Sequence, residues 1–504
     1  DALIKMTKEK KKKPKRPIAK TPRGFRDYMS YEGHFRTEII KKISTIYEIY
    51  GFEFLETSAV ETVDSLGKFL PDVDRPNDGI FAWLDDDDTW LALRYDHTAP
   101  LARFYSQYRN DLPNPYRRYS YGPVWRNEKP GPDRFRQFYQ IDADTVGTPQ
   151  IGADAEMCMM VCDALELIGM DAEDYKFKLN NRKILSGIIQ IAGIKENQMH
   201  PVDDTFFQNI CRAIDKFDRL GLEGVRKLLG SGRRDESGDF TEGLNLSTGQ
   251  IDFFTELLSS KGSRKEFLTN LRNILKKSEI GTQGLNELEE MVDIFLASGY
   301  SEDKFSFDPS VVRGLGYYTG PVFEVELNKK IIDKKGNEHS FGSISGGGRY
   351  DDLVKRFTGQ NVPATGVSIG VDRLIAALQI EEKIKQNTLG PILVTVMDKE
   401  RYKDYQKIVN MLRQGGLRAE IFLGNPKDLG RQLKYADQRK SPFAIIQGSE
   451  EAEKEIVQLK DLNLGSKLSE TISSNEEWKA HPSQFEVPLA NLVSEIKTLL
   501  EPKI

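Results

Sequence analysis

The stretch "VWRNEKPGPDRFRQF", residues 124–138, places three arginines around one acid and breaks in the middle at Pro-Gly-Pro. The arginines are Arg126, Arg134 and Arg136, and the acid is Glu128. The segments "YRRYSYGPVW" and "RFRQFYQIDADTVG" on either side alternate in polarity, which predicts two antiparallel strands joined by a loop. A sheet built on this strand pair is expected to form the centre of the fold.

The arginines of this stretch suit a phosphate ligand, because a planar guanidinium matches phosphate oxygens and stays charged at physiological pH. Side chains two apart on a strand share a face, so Arg126 lies beside Glu128, and Arg134 and Arg136 lie beside Phe138. These groups fit a ligand that carries phosphates and an amino-bearing aromatic ring. A ladder of surface ion pairs on an exposed hairpin fits them about equally well.

Composition describes a globular chain of several domains. With 504 residues the chain is too long for one core, and about two to four domains are expected. Residues 1–20 carry a charge of +7 and the remainder −12, which argues against a generic DNA-coating protein. The basic tail is expected to be disordered, with weak contact to nucleic acid as the alternative. No apolar run reaches the ~20 residues of a membrane span, and no membrane partner is expected.

Cysteine and histidine usage argues against a disulfide framework or a protein-bound metal. Three cysteines are sparse and odd in number, which favours a reducing compartment. Cys158 and Cys162 lie four apart in an amphipathic helical pattern, so both are expected in the core. The five histidines show no metal-ligand spacing. A cytoplasmic location is expected, and a mitochondrion or other organelle is the alternative.

The periodicity predicts an α/β protein: an antiparallel sheet flanked by helices (an α+β core), a helical insertion, and a C-terminal doubly wound α/β domain. "HFRTEIIKKISTIYEIYG" is a helix that Gly51 ends, and "FEFLETSAVE" is a strand. "PVFEVEL" and "GVSIGVDRLIAAL" return to the sheet. The expected divisions are the tail over 1–20, the core over 21–175 and 306–385, the mostly helical insertion over 176–305, and the last domain over 391–504.

The order helix–strand, "WRNE…RFRQF" and "GVSIGVDRL" resembles the three motifs of class II aminoacyl-tRNA synthetases, which bind ATP on an antiparallel sheet. Four further stretches are similar to the histidyl-tRNA synthetase family: "TPRGFRDY", "LRYDHTAPLARF" (93–104), "RGLGYYTGPVFE" (313–324) and "SISGGGRYDDLV" (343–354). The resemblance runs from residue 21 to the end. It implies a histidine–tRNA ligase: a homodimer that uses L-histidine, ATP with Mg²⁺ bound through it, and histidine tRNA. It also implies that the last domain binds the anticodon.

The resemblance assigns site residues by position. The histidine-binding set is Asp96, His97, Thr98, Arg126, Gln140, Asp144, Arg313, Tyr317 and Tyr318, with no catalytic role for His97. The ATP-binding set is Arg126, Glu128, Arg134, Phe138 and Arg373. Arg126 and Arg313 are the expected catalytic pair. Lys129, Gly131 and Asp133 belong to a loop expected to meet the tRNA acceptor end.

Several of these residues have simpler interpretations. Tyr317 and Tyr318 fit sheet aromatics, and Asp144 fits a turn acid. Gly346–Gly348 is expected as a tight turn beside the pocket, and Tyr350 is a further pocket candidate. Ser58 stands where a proline commonly follows the threonine in relatives, which bears on the dimer contact.

Two other functions compete with the ligase. One is a non-catalytic relative, such as the regulatory subunit of the first histidine-biosynthesis enzyme, and the other is a different class II synthetase. The ATP-binding arginines and the C-terminal domain argue against the first, and "RGLGYYTG" argues against the second.

Overall fold

The structure is a computed structural model that describes residues 17–66, 79–130, 135–194, 205–234, 238–259, 264–312, 318–332, 338–380, 390–425, 428–462 and 483–500. The chain divides into two compact units between residues 384 and 385. Each unit has its own hydrophobic core. Among the described helices, none has the length and apolar character needed to cross a membrane.

The first unit contains fifteen described strands, most of them short. They are β1 (Glu53–Phe54), β2 (Val60–Thr62), β3 (Ala82–Leu84), β4 (Trp90–Leu93), β5 (Tyr116–Trp125), β6 (Gln137–Val146), β7 (Tyr175–Asn181), β8 (Gly232–Arg234), β9 (Phe240–Glu242), β10 (Phe305–Phe307), β11 (Pro321–Leu327), β12 (Lys330–Ile332), β13 (Glu338–Ser340), β14 (Ser343–Arg349) and β15 (Ala364–Gly370).

Eight of these strands form one large sheet in the order β1-β5-β6-β15-β14-β11-β7-β10. Only the two edge strands, β1 and β10, pair in parallel, and all inner pairs are antiparallel. The hairpin predicted around residues 124–138 is its longest pairing, with Tyr116 opposite Val146 and Trp125 opposite Gln137. The predicted antiparallel core is therefore confirmed.

Twelve described helices complete the first unit. They are α1 (Ser30–Ile49), α2 (Val63–Leu66), α3 (Thr98–Tyr108), α4 (Gly152–Leu167), α5 (Arg182–Ile191), α6 (Thr205–Ile214), α7 (Phe217–Leu229), α8 (Thr248–Ser259), α9 (Arg264–Leu275), α10 (Glu279–Ala297), α11 (Lys355–Thr358) and α12 (Val371–Ile380).

Helices α1 and α4 cover one face of the sheet with apolar side chains at helical spacing. Ile39, Ile43 and Tyr47 of α1 are buried in this core, as are Cys158 and Cys162 of α4. Helix α1 ends at Ile49, and Gly51 follows with φ of 81°, the left-handed conformation that ends helices. Both the end of this helix and the core position of the cysteines are as predicted.

Two stretches differ from the sequence expectation. "FEFLETSAVE" is not one strand, because the chain passes from β1 of the large sheet to β2 of a smaller one. Arg94 fixes the segment between β1 and β2, because its Nη1 donates to the Thr57 carbonyl at 3.0 Å. The stretch from residue 176, expected to be helical, begins as β7 of the large sheet, and the helices follow from Arg182.

The second unit has a five-stranded sheet in the order β17-β16-β18-β19-β20. Its elements are β16 (Ile392–Val394), α13 (Tyr402–Gln414), β17 (Ala419–Ile421), α14 (Leu429–Gln438), β18 (Phe443–Ile446), α15 (Ser449–Glu453), β19 (Ile456–Asp461), β20 (Gln484–Pro488) and α16 (Leu492–Leu500). The first three strands are parallel, as their intervening helices predict. Strand β19 runs antiparallel to β18, because residues 447–455 are too few for the dozen or more residues of a parallel crossover, and β20 pairs antiparallel with β19.

Candidate active site

A cavity of about 770 Å³ lies on the large sheet, and strands β6, β14 and β15 supply its floor. The beginnings of helices α3 and α12 and the end of β5 supply walls. The cavity brings together ten of the predicted residues: Asp96, Thr98, Arg126, Glu128, Phe138, Gln140, Asp144, Tyr318, Tyr350 and Arg373. Residues from the stretch 93–104, from the hairpin around 124–138 and from the predicted third motif thus share one site.

The floor is acidic because β6 turns three polar side chains to the same face. Gln140, Asp142 and Asp144 are spaced by two residues and all line the cavity. Both aspartates are 2% exposed. Opposite Asp144 on β15 stands Gly366, where an added Cβ would lie 2.0 Å from Asp144 Oδ1. Glycine at 366 therefore leaves the space that the carboxylate occupies.

Asp144 has a hydrogen-bond donor at one carboxylate oxygen and a cation beside the other, which itself has no hydrogen-bond partner among the described residues. The Tyr350 hydroxyl donates to Oδ1, and Arg118 Nη2 lies 2.7 Å from Oδ2. Arg118 is fully buried and also donates to the His97 carbonyl at 2.9 Å. Burial raises the pKa of Asp144, and the charge of Arg118 opposes that shift. Asp144 is thus the centre of a buried network that joins β5, β6 and the residue after β14.

Asp96 presents an open acceptor at the start of α3. Its Oδ1 accepts from the backbone N–H groups of Thr98 and Ala99 at 3.1 and 3.0 Å. Its Oδ2 is buried and has no hydrogen-bond partner among the described residues, and the same holds for Gln140 Oε1. Burial raises the pKa of Asp96. Two buried acceptors without donors favour a ligand with several N–H groups, such as an ammonium group.

The cavity also carries cations and aromatic rings. The Arg126 guanidinium lies 5.1 Å from the centroid of the Phe138 ring, and Nε contacts the Tyr95 carbonyl at 3.4 Å. Glu128, two residues on, is exposed at the rim. An arginine held against an aromatic face, with a carboxylate nearby, can bind a phosphate and a base together.

A second cation stands at the start of α12, directly after β15. Arg373 Nη2 donates to the Phe341 carbonyl at 2.7 Å, and the guanidinium lies 5.5 Å from the Phe341 ring. Asp372 Oδ2 accepts from the Tyr139 backbone N–H at 2.7 Å and fixes the helix start against β6. The N-terminus of α12, with its partial positive charge, therefore faces the same cavity as Arg126.

Two predicted site residues lie away from the cavity wall. His97 is buried behind β5, with Nε2 3.4 Å from the Gly122 carbonyl and Nδ1 3.4 Å from Ser120 Oγ. Burial and the neighbouring Arg94 and Arg118 lower its pKa to about 3, so the ring is neutral. Lys129 is exposed outside the lining. Gly131, Asp133, Arg134, Arg313 and Tyr317 fall outside the described residues.

The structure adds Asp142 and Arg118, which sequence reasoning missed. Asp142 was recognisable, since it alternates with Gln140 and Asp144 along one strand. Arg118 gave no signal, because its neighbours in sequence are also polar. Gly346 and Gly347 line the cavity from within β14 rather than forming the expected tight turn.

Arg136, whose purpose the sequence left open, braces the N-terminal segment. Its guanidinium donates to Asn127 and lies 4.6 Å from the Phe81 ring, and its backbone N–H donates to the Gly24 carbonyl at 2.8 Å. The segment that it holds carries Arg26, which lines the cavity and stacks 4.6 Å from the Phe135 ring.

Comparison with known proteins matches both units. The family model of histidyl-tRNA synthetase matches residues 24–374, and that of the anticodon-binding domain matches residues 391–499. A large antiparallel sheet with an acidic and arginine-lined cavity, followed by an anticodon-binding unit, defines an aminoacyl-tRNA synthetase.

Individual relatives agree over nearly the whole chain. Histidine–tRNA ligases of Roseobacter denitrificans and Dinoroseobacter shibae are 55% and 57% identical, each over 97% of this chain and 98% and 99% of their own. The crystal structure of histidyl-tRNA synthetase from Nostoc sp. PCC 7120 matches with a TM-score of 0.73 and 29% identity, over 96% of this chain and 100% of that one. The chain belongs to the histidyl-tRNA synthetase family.

Proposed function

We propose that the cavity activates L-histidine with ATP to give histidyl-adenylate and pyrophosphate, and that the histidyl group then passes to the 3′ end of its tRNA. The observation that carries the proposal is that one cavity holds both buried acceptors without donors and arginine side chains. An amino acid carries the ammonium group that the acceptors suit, and ATP carries the phosphates that the arginines suit. Arg126 contacts the Tyr95 carbonyl next to Asp96, so the two kinds of group are adjacent there.

The residue roles follow from this arrangement. Asp96, Thr98 and Gln140 hold the α-ammonium group, and the imidazole lies toward Tyr318, Tyr317 and the Asp144 network. Arg126 and Arg313 contact the carboxylate and the α-phosphate, where negative charge increases as the carboxylate attacks phosphorus. Such transfer depends on positioning and charge stabilisation rather than on a covalent nucleophile.

The nucleotide lies against the arginines of the cavity. Phe138 stacks on the adenine, and Glu128 accepts from its exocyclic amine. Arg134 and Arg373 contact the outer phosphates. Mg²⁺ enters with these phosphates and neutralises part of their charge.

The tRNA is bound by two parts of the chain. The second unit matches the anticodon-binding domain model, so it binds the anticodon. The loop that includes Lys129, Gly131 and Asp133 meets the acceptor end. Lys129 is exposed beside the cavity residue Glu128, which supports this placement.

A homodimer is supported by apolar side chains at one edge of the sheet. Phe54 on edge strand β1 is 47% exposed, and Ile49 at the end of α1 is 72% exposed. Phe54 lies 5.1 Å from the ring of Tyr121, which is also exposed. The motif that these elements resemble forms the dimer contact of class II synthetases.

The proposed activity is tested by histidine-dependent exchange of pyrophosphate into ATP, compared with the other amino acids. Exchange specific for histidine is expected, followed by histidylation of tRNA. Arg126→Ala and Arg313→Ala should each lower exchange by about 10²-fold or more without loss of fold, because each removes a charge donor from the transition state.

Arg109→Ala is the matched control, because this arginine is exposed beyond α3 and should leave exchange unchanged. Exchange with another amino acid, or none at all, would refute the proposed function. Near-wild-type exchange in Arg126→Ala would refute the role of Arg126 alone.

A further inference from the structure

The segment over residues 22–28 lies before α1 and contributes to the cavity, and the proposed mechanism gives it no task. Its member Arg26 lines the cavity. The Arg136 backbone N–H, directly before β6, donates to the Gly24 carbonyl at 2.8 Å. Gly24 has φ of 82°, and a Cβ there would lie 2.6 Å from the Arg136 side chain, so glycine allows this close approach. The segment is thus held in a defined place against the sheet.

Two aromatic rings hold the guanidinium of Arg26. The guanidinium lies 4.2 Å from the centroid of the Tyr28 ring and 4.6 Å from that of the Phe135 ring. Phe135 lines the cavity as well. A ring face attracts the cation without occupying its N–H donors, so the planar fork is positioned and keeps donors for a ligand.

Arg26 also differs from the buried arginines of this unit in its ion pair. Its Nη1 lies 3.5 Å from Glu32 Oε1, whereas charge-assisted hydrogen bonds are about 2.7–2.9 Å long. The side chains of Arg26 and Glu32 are 36% and 35% exposed. Arg118, by contrast, is buried and lies 2.7 Å from the Asp144 carboxylate. A loosely paired, partly exposed cation that lines a cavity is available to an anionic ligand.

The neighbours of Arg26 connect it to the start of α12. The Tyr28 ring lies 4.3 Å from the Arg36 guanidinium, and Arg36 Nη1 lies 3.9 Å from Asp372 Oδ1. Arg26 is itself within electrostatic range of Asp372. Asp372 lies in the first turn of α12, next to Arg373, which the proposed function assigns to the outer phosphates. These contacts therefore bring a further cation toward the part of the cavity that suits those phosphates.

We propose that Arg26 binds the outer phosphates of ATP together with Arg373 and stabilises the pyrophosphate as it leaves. This assignment rests on the proposed function, since it presumes that ATP occupies the cavity. When a carboxylate oxygen of histidine bonds to the α-phosphorus, the bond from that phosphorus to the bridging oxygen breaks, and the pyrophosphate keeps the electron pair. A cation at the departing phosphates stabilises the transition state as well as the bound nucleotide.

The test measures the Kd of ATP by calorimetry and the KM values for ATP and histidine in pyrophosphate exchange. Arg26→Ala should raise the Kd and the KM for ATP by about tenfold or more, the effect of losing a hydrogen bond to a charged group. The KM for histidine should stay at the wild-type value. Arg26→Lys keeps a point charge, so it should retain more ATP affinity than Arg26→Gln.

Arg23→Ala is the matched control, because Arg23 is exposed in the same segment and lies outside the described lining. This variant removes the same charge and should leave the KM for ATP unchanged. Equal losses in Arg23→Ala and Arg26→Ala would overturn the proposal, since a change in net charge would then explain both. Equal losses in Arg26→Lys and Arg26→Gln would also overturn it.

The acceptor end of the tRNA is the other source of phosphate groups at this site. A higher KM for tRNA in histidylation, with unchanged ATP binding in Arg26→Ala, would overturn the proposal and assign Arg26 to the tRNA. Equal increases in the KM for ATP and for histidine would overturn it as well, because they indicate a displaced segment. Each of these results leaves histidine-dependent exchange by the wild type intact, so it is distinguishable from failure of the proposed function.

Discussion

At the scale of single residues, the buried acids of the first unit fall into two kinds. Asp154 of α4 is fully buried and is held by Arg349, whose Nε donates to Oδ2 at 3.1 Å. The same guanidinium donates to the carbonyls of Thr148 and Gln150, both at 3.0 Å. Asp96 and Asp142 line the cavity, and each has a carboxylate oxygen without a hydrogen-bond partner among the described residues. All of these acids are buried, so the presence of a paired arginine is what distinguishes a structural carboxylate from one that can bind a ligand.

This difference predicts that removing the two kinds of acid changes the free energy of unfolding by unequal amounts. Asp154→Ala leaves the buried Arg349 charge with only the longer carboxylate contact to Asp351, at 3.7 Å, among the described residues, so the free energy of unfolding should fall by about 3 kcal/mol. Asp142→Ala leaves no such charge, so it should change the free energy of unfolding by much less. Urea denaturation of the two variants and the wild type measures both effects. Equal destabilisation by the two substitutions would contradict the division.

At the scale of elements, alternation and helical periodicity were sufficient to place most strands and helices. The hairpin β5–β6, strand β15 running into helix α12, and β4 followed by α3 all lie where the sequence predicts them. The stretch 53–62 could not be predicted, because β1 and β2 pair with strands distant in sequence. The assignment of residues 176–181 was wrong for a similar reason, since β7 is defined by pairing with β11 and β10.

Gly366 links strand pairing to the site and gives a prediction at this scale. Gly366→Ala should displace the Asp144 carboxylate, lower the free energy of unfolding by about 1–3 kcal/mol and reduce histidine-dependent exchange. Gly33→Ala is the control, because the space around Gly33 in α1 is open and alanine favours a helix. Denaturation and exchange assays on both variants test the expectation. Wild-type exchange in Gly366→Ala would show that the carboxylate tolerates displacement.

At the scale of the whole molecule, the chain joins two separately packed units, each with its own sheet. All described lining residues of the cavity belong to the first unit, which also carries the exposed apolar edge around Phe54. The proposed activation of histidine and the proposed binding of the anticodon are thus assigned to two units with separate cores. The change in sequence pattern predicts a join near residues 386–391, and the structure divides the chain between residues 384 and 385.

The proposed homodimer is tested at this scale. Phe54→Glu should shift the mass measured by light scattering after gel filtration from that of a dimer toward that of a monomer, because a charge replaces apolar surface at the contact. Leu423→Glu is the control, since Leu423 is 79% exposed in the second unit. A wild-type chain that is monomeric at micromolar concentration would contradict the dimer itself.

The sequence by itself predicted most of the element order, a separate C-terminal unit and ten of the cavity residues, because strand alternation and helical spacing are local and the arginine hairpin is specific. Tertiary structure decided which of those residues are open to a ligand. Arg118 lies 2.7 Å from Asp144 on the neighbouring strand, His97 lies behind β5, and Asp96 Oδ2 has no hydrogen-bond partner among the described residues. A hydrogen bond between strands depends on register and burial, and neither is encoded in the residues on one strand alone.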